Sequence, residues 1–204
     1  GHPMTIKLDL SQALTMLQEA RHICVMSHVS PDGDAVGSLL GLTLALRANS
    51  KKTSPSMSSN VPTTFAFLPG THNVQNEIPE DADLFITVDC ADITRLGNIA
   101  ARLPGKTHIN IDHHISNTNY AQINFVDTQV ASTAEYLMRL LVPFGMKIDQ
   151  DVATCLLTGI LTDTLGFRTV NTTPDTLAAA KTLMENGAPM HQIYQRTLHQ
   201  RSLP

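Results

Sequence analysis

The chain has 204 residues, of which 42% are hydrophobic and 16% charged, and its formal net charge is −4. This length accommodates one large domain with a substantial core, and the negative charge argues against a broad basic surface for duplex nucleic acid. No apolar stretch approaches the length of a membrane span, and the first residues lack the pattern of a signal peptide. Three dispersed cysteines, Cys24, Cys90 and Cys155, are typical of a reduced cytoplasmic protein.

The first third of the chain alternates predicted helices and strands. A helix over 12–20, with Ser11 as its N-cap, precedes a short apolar strand at 23–27. Dense apolar residues over 35–49 predict a buried crossover helix, and the small residue Gly37 near its start permits close packing.

The middle of the chain continues the same alternation. Residues 49–63 are polar and predict a surface loop, and 61–67 predicts an edge strand. Strands are predicted at 84–88 and 107–111, with a short helix over 93–102 between them.

The last third is predicted to be rich in helices. After a short strand at 123–127, Ser132 and Thr133 cap a helix that runs through Leu141, with Glu135 near the capping-box position. Three further helices are predicted at 149–162, 173–186 and 189–200. The order of elements predicts an α/β fold with a central parallel sheet of about five strands and a helix-rich C-terminal part.

The segment from His28 to Ser38 carries the first candidate site. It places His28, Asp32 and Asp34 within seven residues, directly after the first strand. Divalent cations favour carboxylate oxygens, and an imidazole adds tolerance for manganese, iron or zinc. The segment therefore predicts a metal-binding loop, with Gly33 allowing a turn between the acids. A solvated Pro-Asp-Gly turn is the alternative explanation.

Further acidic and histidine residues follow other predicted elements. Asp89 ends the strand at 84–88, Asp112-His113-His114 follows the strand at 107–111, and Asp163 ends the helix at 149–162. The carboxyl ends of parallel strands lie on one edge of a sheet, where ligands bind. These side chains are thus expected to converge on one crevice.

These motifs together resemble the DHH family of phosphoesterases, which is named for the triad present here as Asp112-His113-His114. The first family motif is similar to the segment from His28 to Ser38, and the second is similar to Val88-Asp89. The fourth resembles the segment from Thr158 to Thr164. The resemblance spans residues 10–200 and is greatest to the bacterial oligoribonuclease and pAp-phosphatase branch.

The resemblance implies a site with two divalent metal ions that activate a water for attack on a phosphoester. By analogy, His28 and Asp32 would hold the first ion, and Asp34, His113 and Asp163 the second, with Asp89 shared between them. The ligand types favour Mn²⁺, and Mg²⁺ or Co²⁺ are substitutes.

The other roles concern the substrate, a short RNA or DNA oligonucleotide or a nucleotide. His114 would contact the phosphate or protonate the leaving oxygen, and Asp112 would orient a histidine. Arg168 is a candidate for binding the scissile phosphate. The other histidines, including His22 and His108, are expected at the surface or beside strands.

Residues 1–204 are interpreted as a single DHH catalytic domain, in which residues 1–3 are typical of an expression-tag remnant. Relatives in the family carry a C-terminal DHHA1 substrate domain, whose basic Gly-rich motif is absent from this chain. A homodimer is left open. Two alternative functions are also left open, an inorganic pyrophosphatase or exopolyphosphatase and a non-catalytic nucleotide-binding module.

Overall fold

A computed structural model describes residues 3–199, with side chains from residue 9 onward. Five strands, all parallel, form one sheet in the order β2-β1-β3-β4-β5. They are β1 (Ile23–Met26), β2 (Thr53–Ser56), β3 (Leu84–Val88), β4 (His108–Asp112) and β5 (Ile123–Val126). The predicted α/β class, with a parallel sheet of about five strands, is confirmed.

Six α-helices are present within residues 3–199. They are α1 (Pro3–Glu19), α2 (Gly33–Ala48), α3 (Thr133–Leu141), α4 (Gln150–Asp163), α5 (Pro174–Glu185) and α6 (Met190–Tyr194). A 3₁₀ segment, Ile93–Arg102, connects β3 to β4 and is kinked at Gly97. Four of these helices, α3 to α6, follow the last strand of the sheet, so the predicted helix-rich C-terminal part is confirmed.

The sheet is covered on both faces, which explains why β1 and β3 are nearly continuous apolar runs. In β1, Ile23 and Val25 join the main core, whereas Cys24 and Met26 face a second cluster that includes Leu96. All residues of β3 and β4 are buried. Parallel strands buried on both faces lose the alternation of apolar and polar residues that marks a half-exposed strand.

Helices α2 and α4 pack closely because glycine removes the side chains between them. A Cβ atom on Gly37 of α2 would collide with the carbonyl oxygen of Cys155 in α4, and one on Gly159 of α4 would lie 2.9 Å from Oδ1 of Asp34 in α2. The prediction that Gly37 permits close packing is therefore confirmed. This packing brings the end of α4 towards the beginning of α2.

The edge strand is not where the sequence predicted it. Residues 61–67 contain a 3₁₀ turn, Thr63–Phe65, whose Phe65 packs with Val36 and Leu40 of α2. The edge strand is β2, Thr53–Ser56, which has little apolar character and contains Pro55. An edge position tolerates proline because one side of the strand needs no ladder donors.

Three local predictions were also wrong. Helix α1 begins at Pro3, so Ser11 is an exposed interior residue and not its N-cap. The last predicted helix is shorter, since α6 ends at Tyr194 and a π-helical segment follows to His199. Gly33 is the first residue of α2, where its lack of a side chain makes room for Thr162.

Two histidines expected at the surface or beside strands are buried at the strands. His22 bridges the carboxylate of Asp81 and the hydroxyl of Ser54, with 2.8 Å to each. His108 is the first residue of β4, and its Nε2 lies 2.9 Å from the hydroxyl of Thr87. Across residues 3–199, no helix combines the length and apolar character that a bilayer span requires.

Candidate metal centre

The candidate site lies where the order of the strands reverses direction. β1 pairs with β2 on one side and with β3 on the other, so the connections leave the sheet in opposite directions at the β1–β3 pair. A crevice forms at such a point, beyond the carboxyl ends of the strands. His28 follows β1 and Asp89 follows β3, so both side chains are at this crevice.

The first turn of α2 supplies two carboxylates with different tasks. Asp32 is the N-cap of the helix, and its Oδ1 accepts a hydrogen bond of 2.9 Å from the Ala35 amide. Asp34 is fully buried and reaches the beginning of α3, where its carboxylate accepts from the amides of Thr133 (2.9 Å) and Ala134 (3.0 Å). These amides fix the orientation of Asp34, since the N-terminus of a helix favours a negative charge.

Asp89 is held in an unusual backbone conformation at the end of β3. Its φ angle is 57°, in the left-handed region that non-glycine residues seldom adopt. Its amide continues the ladder by donating to the carbonyl of Ile111, and its Oδ1 accepts from the Thr133 hydroxyl at 2.9 Å. Thr133 therefore orients two of the candidate ligands, through its amide and through its hydroxyl.

His113 lies among three carboxylates without a hydrogen bond to any of them. Its Nε2 lies 3.3 Å from an oxygen of Asp163, 3.5 Å from Asp34 and 3.6 Å from Asp89. This nitrogen is buried and has no hydrogen-bond partner. Ligand atoms that share an ion at about 2.0–2.2 Å lie roughly 3–3.5 Å from one another, so the spacing suits a common cation.

Two groups of ligand atoms share the crevice. His28, Asp32 and Asp89 form one group, and Asp34, His113 and Asp163 form the other, with the ligand atoms of each group within 4.8 Å of one another. A third group, which consists of Asp89, His113 and His114, links them. Carboxylate oxygens with imidazole nitrogens are a donor set that suits divalent transition metals, so the residues present fit a metal centre.

The electrostatics of the cluster also favour a bound cation. Burial, followed by the charges of nearby carboxylates such as Asp163, raises the pKa of Asp34 well above its ordinary value. Burial and the charge of Asp34 likewise raise the pKa of Asp89. Burial lowers the pKa of His113, but the carboxylates of Asp163 and Asp34 outweigh burial and raise it to about 9. Without a cation, these carboxylates are destabilised by one another.

A second set of polar contacts supports His114. Its Nδ1 lies 2.7 Å from Oδ1 of Asp112, and Oδ2 of Asp112 accepts from the Asn117 side chain at 2.8 Å. Burial raises the pKa of Asp112, but the hydrogen bonds from His114 and Asn117 lower it below its ordinary value. An ionised Asp112 can only accept, so Nδ1 of His114 donates and Nε2 is the nitrogen left to exchange protons.

A cavity of about 200 Å³ opens beside the first group of ligands. Eight residues line it: His28, Asp32, Asp89, Cys90, Ala91, Arg95, His114 and Ser116. The two histidines and two aspartates of this lining are all candidate site residues predicted from the sequence. The cavity therefore gives access from solvent to the candidate metal centre.

The structure brings together all six residues predicted as metal ligands: His28, Asp32, Asp34, Asp89, His113 and Asp163. The two predicted catalytic residues, Asp112 and His114, lie beside them. Arg168 is exposed and its Nε donates to the carbonyl of Leu165, in its own turn. Within residues 9–199, no hydrogen bond or ion pair joins Arg168 to any of the six predicted metal ligands.

Sequence reasoning missed three residues at this site: Thr133, Asn117 and Arg95. Thr133 had been explained as a helix cap, but Ser132 is the N-cap and accepts from the Glu135 amide at 3.0 Å. The capping prediction for Ser132 is thus confirmed, and the Thr133 hydroxyl is free to contact Asp89. A signal that could have found Asn117 is its position in the turn that follows Asp112-His113-His114.

Fold and site together define an α/β protein with a candidate metal centre at the carboxyl edge of a parallel sheet. Residues 22–160 match the family model described as the DHH family, N-terminal domain. The chain belongs to this family, and its predicted resemblance to DHH phosphoesterases is confirmed.

Curated relatives identify the branch of the family. The chain is 36% identical over 177 residues to the bifunctional oligoribonuclease and PAP phosphatase NrnA of Thermus thermophilus, covering 85% of this chain and 53% of the relative. It is 31% identical over 185 residues to the Bacillus subtilis protein of the same description, covering 87% and 58%. The chain thus spans a little over half the length of these relatives.

Solved structures share the fold. An exopolyphosphatase-related protein from Bacteroides fragilis superposes with a TM-score of 0.88 at 24% identity, covering 95% of this chain and 61% of that one. The exonuclease RecJ bound to manganese superposes with a TM-score of 0.54 at 20% identity, covering 87% and 47%. At these identities the likeness concerns the fold alone.

Proposed function

We propose that this chain is the catalytic domain of a two-metal phosphoesterase that hydrolyses short oligonucleotides or nucleoside bisphosphates such as pAp. The observation that carries the proposal is the pair of ligand groups that meet at Asp89 and His113, where a buried imidazole nitrogen faces three carboxylates without a hydrogen bond. The substrate class is supported by the names of the NrnA relatives.

Six side chains would hold the ions: His28 and Asp32 on one side, Asp34, His113 and Asp163 on the other, and Asp89 between them. When bound, the ions would neutralise the carboxylates, polarise the phosphate and make a water acidic enough to ionise near neutral pH. The ligand types favour Mn²⁺, and the neighbouring fold of RecJ is bound to manganese. Mg²⁺ and Co²⁺ are the substitutes to test.

His114 is the proposed general acid for the hydrolysis. A water oxygen forms the new bond to phosphorus while the bond from phosphorus to the ester oxygen breaks, and Nε2 of His114 gives its proton to the departing oxygen. Asp112 holds Nδ1 at 2.7 Å and stabilises the protonated ring, so the ring keeps one orientation through the cycle. The proton lost by the attacking water balances the one that His114 donates.

The domain assignment is part of the proposal. We treat residues 1–204 as one catalytic domain and propose that a DHHA1-type domain, in the half of the relatives that the chain does not span, contributes to substrate selection. Cys24, Cys90 and Cys155 are free thiols, which accords with a role in the cytoplasm. The homodimer stays a prediction.

The test compares product release from a short RNA, pAp and pyrophosphate with Mn²⁺ present. Asp163→Ala removes a proposed ligand, and Asp151→Ala is the matched control because Asp151 is an exposed carboxylate on the same helix. We expect turnover of the RNA or pAp by the control and none by Asp163→Ala. Turnover of pyrophosphate alone would favour the pyrophosphatase alternative, and binding of Mn²⁺ without any turnover would favour the non-catalytic module.

A further inference from the structure

We propose that Arg95 and Ser116 form a phosphate-binding subsite at the mouth of the cavity, which holds the phosphoryl group that is cleaved. The proposal rests on the function proposed above and adds a substrate contact to it. Both residues are exposed and line the cavity together with His28, Asp32, Asp89 and His114. Within residues 9–199, Arg95 is the only lysine or arginine that lines this cavity.

The guanidinium of Arg95 is available to a ligand. Among the side chains that the structure describes, it makes no hydrogen bond or ion pair. Other arginines are engaged within the protein: Arg139 contacts three carboxylates, and Arg168 donates to a carbonyl of its own turn. The side chain of Arg95 lines the same cavity as Asp89 and Cys90.

The backbone of Arg95 is fixed to the loop that carries His28. Its carbonyl accepts from the Val29 amide at 2.8 Å, and its amide donates to the carbonyl of Asp92 at 3.0 Å. Gly97, two residues later, approaches Val29 so closely that a Cβ atom would lie 2.7 Å from a methyl group. The backbone of Arg95 is therefore held in position relative to the candidate metal ligands.

Ser58 fastens the same segment from the other side. Its hydroxyl donates to the carbonyl of Leu96 at 2.6 Å and accepts from the amide of Ile99 at 3.2 Å. A surface arginine that only keeps the protein soluble does not need a backbone held in this way. A charged side chain that binds substrate gains from it, because less conformational freedom is lost on binding.

Ser116 stands in a turn that is fixed in a similar way. The amide of Asn117 donates to the carbonyl of His114 at 3.1 Å and closes the turn, and the side chain of Asn117 anchors it to Asp112. The hydroxyl of Ser116 has no hydrogen bond within residues 9–199. The cavity thus presents a guanidinium and a hydroxyl beside the same carboxylate cluster.

Charge balance supports a phosphate as the ligand. Asp32, Asp34, Asp89 and Asp163 supply four negative charges, which two divalent ions would cancel. A phosphoryl group then adds negative charge, and the protonated ring of His114 is already paired with Asp112. Arg95 supplies a further positive charge, and a guanidinium matches phosphate oxygens with two parallel hydrogen bonds.

The test uses the full chain and its Arg95→Ala and Arg95→Lys variants. The control is Arg21→Ala, which removes the same charge from an exposed arginine preceding β1, at the opposite edge of the sheet. Substrates are pAp and p-nitrophenyl phosphate, which has a single phosphate. We expect Arg95→Ala to lose about 10²-fold in kcat/KM with both substrates. Added guanidinium should restore part of this loss, Arg95→Lys should fall in between, and Arg21→Ala should equal the wild type.

A binding measurement separates this subsite from the proposed function. Titration of the Mn²⁺-loaded protein with inorganic phosphate should show at least tenfold weaker binding in Arg95→Ala, with Mn²⁺ affinity unchanged. That result would support the subsite even if no substrate were turned over. The assignment to the cleaved phosphate would be overturned if Arg95→Ala kept the kcat/KM of the wild type, or if its affinity for inorganic phosphate were unchanged. A loss of kcat/KM with pAp but not with p-nitrophenyl phosphate would also overturn it.

Discussion

One buried carboxylate of this protein, Asp112, and a neighbouring pair, Asp34 and Asp89, have opposite electrostatic properties. Asp112 lies at the end of β4, where His114 and Asn117 hydrogen-bond to its two oxygens and the pKa is lowered. Asp34 and Asp89 accept hydrogen bonds at the start of α3, yet their pKa values are raised because they are buried and face each other. The protein itself supplies the partners of Asp112, whereas a bound cation would offset the mutual repulsion of Asp34 and Asp89.

The largest expected effect comes from Asp89→Asn, which removes one charge and keeps the shape. Asparagine tolerates the left-handed backbone at this position. Mutation of a residue that hydrogen-bonds to a metal ligand lowers metal affinity or activity about 10–100-fold. Loss of a shared ligand itself should therefore lower turnover by more than about 10²-fold. Calorimetric titration with Mn²⁺ should show a matching loss of affinity. Full Mn²⁺ binding and full turnover in this variant would contradict the shared role of Asp89.

Mn²⁺ should raise the stability of the protein, and more so at high pH. In metal-free protein, Asp34 and Asp89 bind protons more tightly than in the unfolded chain, so their contribution to stability is present at low pH and declines as pH rises towards their raised pKa values. Mn²⁺ at 100 times its Kd adds about 2.7 kcal/mol. Thermal unfolding should then shift by roughly 5–10 °C at pH 8. An equal or larger shift at pH 5 would contradict this account.

Acid should lower the stability of the folded protein through His108, the buried histidine at the start of β4. Burial lowers its pKa to about 4, so between the ordinary value of 6.5 and this value the unfolded chain binds a proton that the folded protein does not. Stability is therefore lost as pH falls through this window, by about 2 kcal/mol at pH 5. Urea unfolding of His108→Gln, whose amide can still bond to Thr87, should show a flatter dependence on pH. Parallel pH profiles for the two proteins would disprove the assignment.

Asn117→Ala should have the smallest effect and change catalysis selectively. It removes one donor to Asp112 and loosens the support of His114, which should lower kcat about 10-fold and leave KM near its original value. Asn73→Ala, at an exposed asparagine in a distant turn, serves as the control. An increase in KM alone would show that Asn117 acts on binding and not on the orientation of His114.

Sequence reasoning succeeded where local patterns carry the information. The apolar runs of β3 and β4 are read directly from the chain, and the residue type at the end of a strand then determines what reaches the crevice. It failed for β2, because Thr53–Ser56 is buried by its neighbours and not by its own apolar character. An edge strand that contains Pro55 has no signal in a hydrophobic pattern.

Contacts between distant segments could not be predicted in the same way. Thr133 reaches Asp89 only because α3 begins against the crevice, and no spacing in the sequence reports that approach. The choice between Arg95 and Arg168 depends on which guanidinium is already occupied. Arg168 is bonded to Leu165 in its own turn, a fact that needs three-dimensional coordinates. The position of Asp163 at the end of a predicted helix made it a candidate, and the resemblance to the family supplied its role as a ligand of the second ion.

The bonds from the start of α3 to Asp34 join residues 99 and 100 positions apart in the chain. During synthesis, the segment with His28, Asp32 and Asp34 leaves the ribosome long before α3 exists to orient Asp34, and Asp163 emerges later still. The nascent chain can offer a cation only isolated, poorly arranged ligands. Under the proposed function, capture of a metal ion would therefore be a late event, which reports that the segments from both halves of the chain have come together correctly.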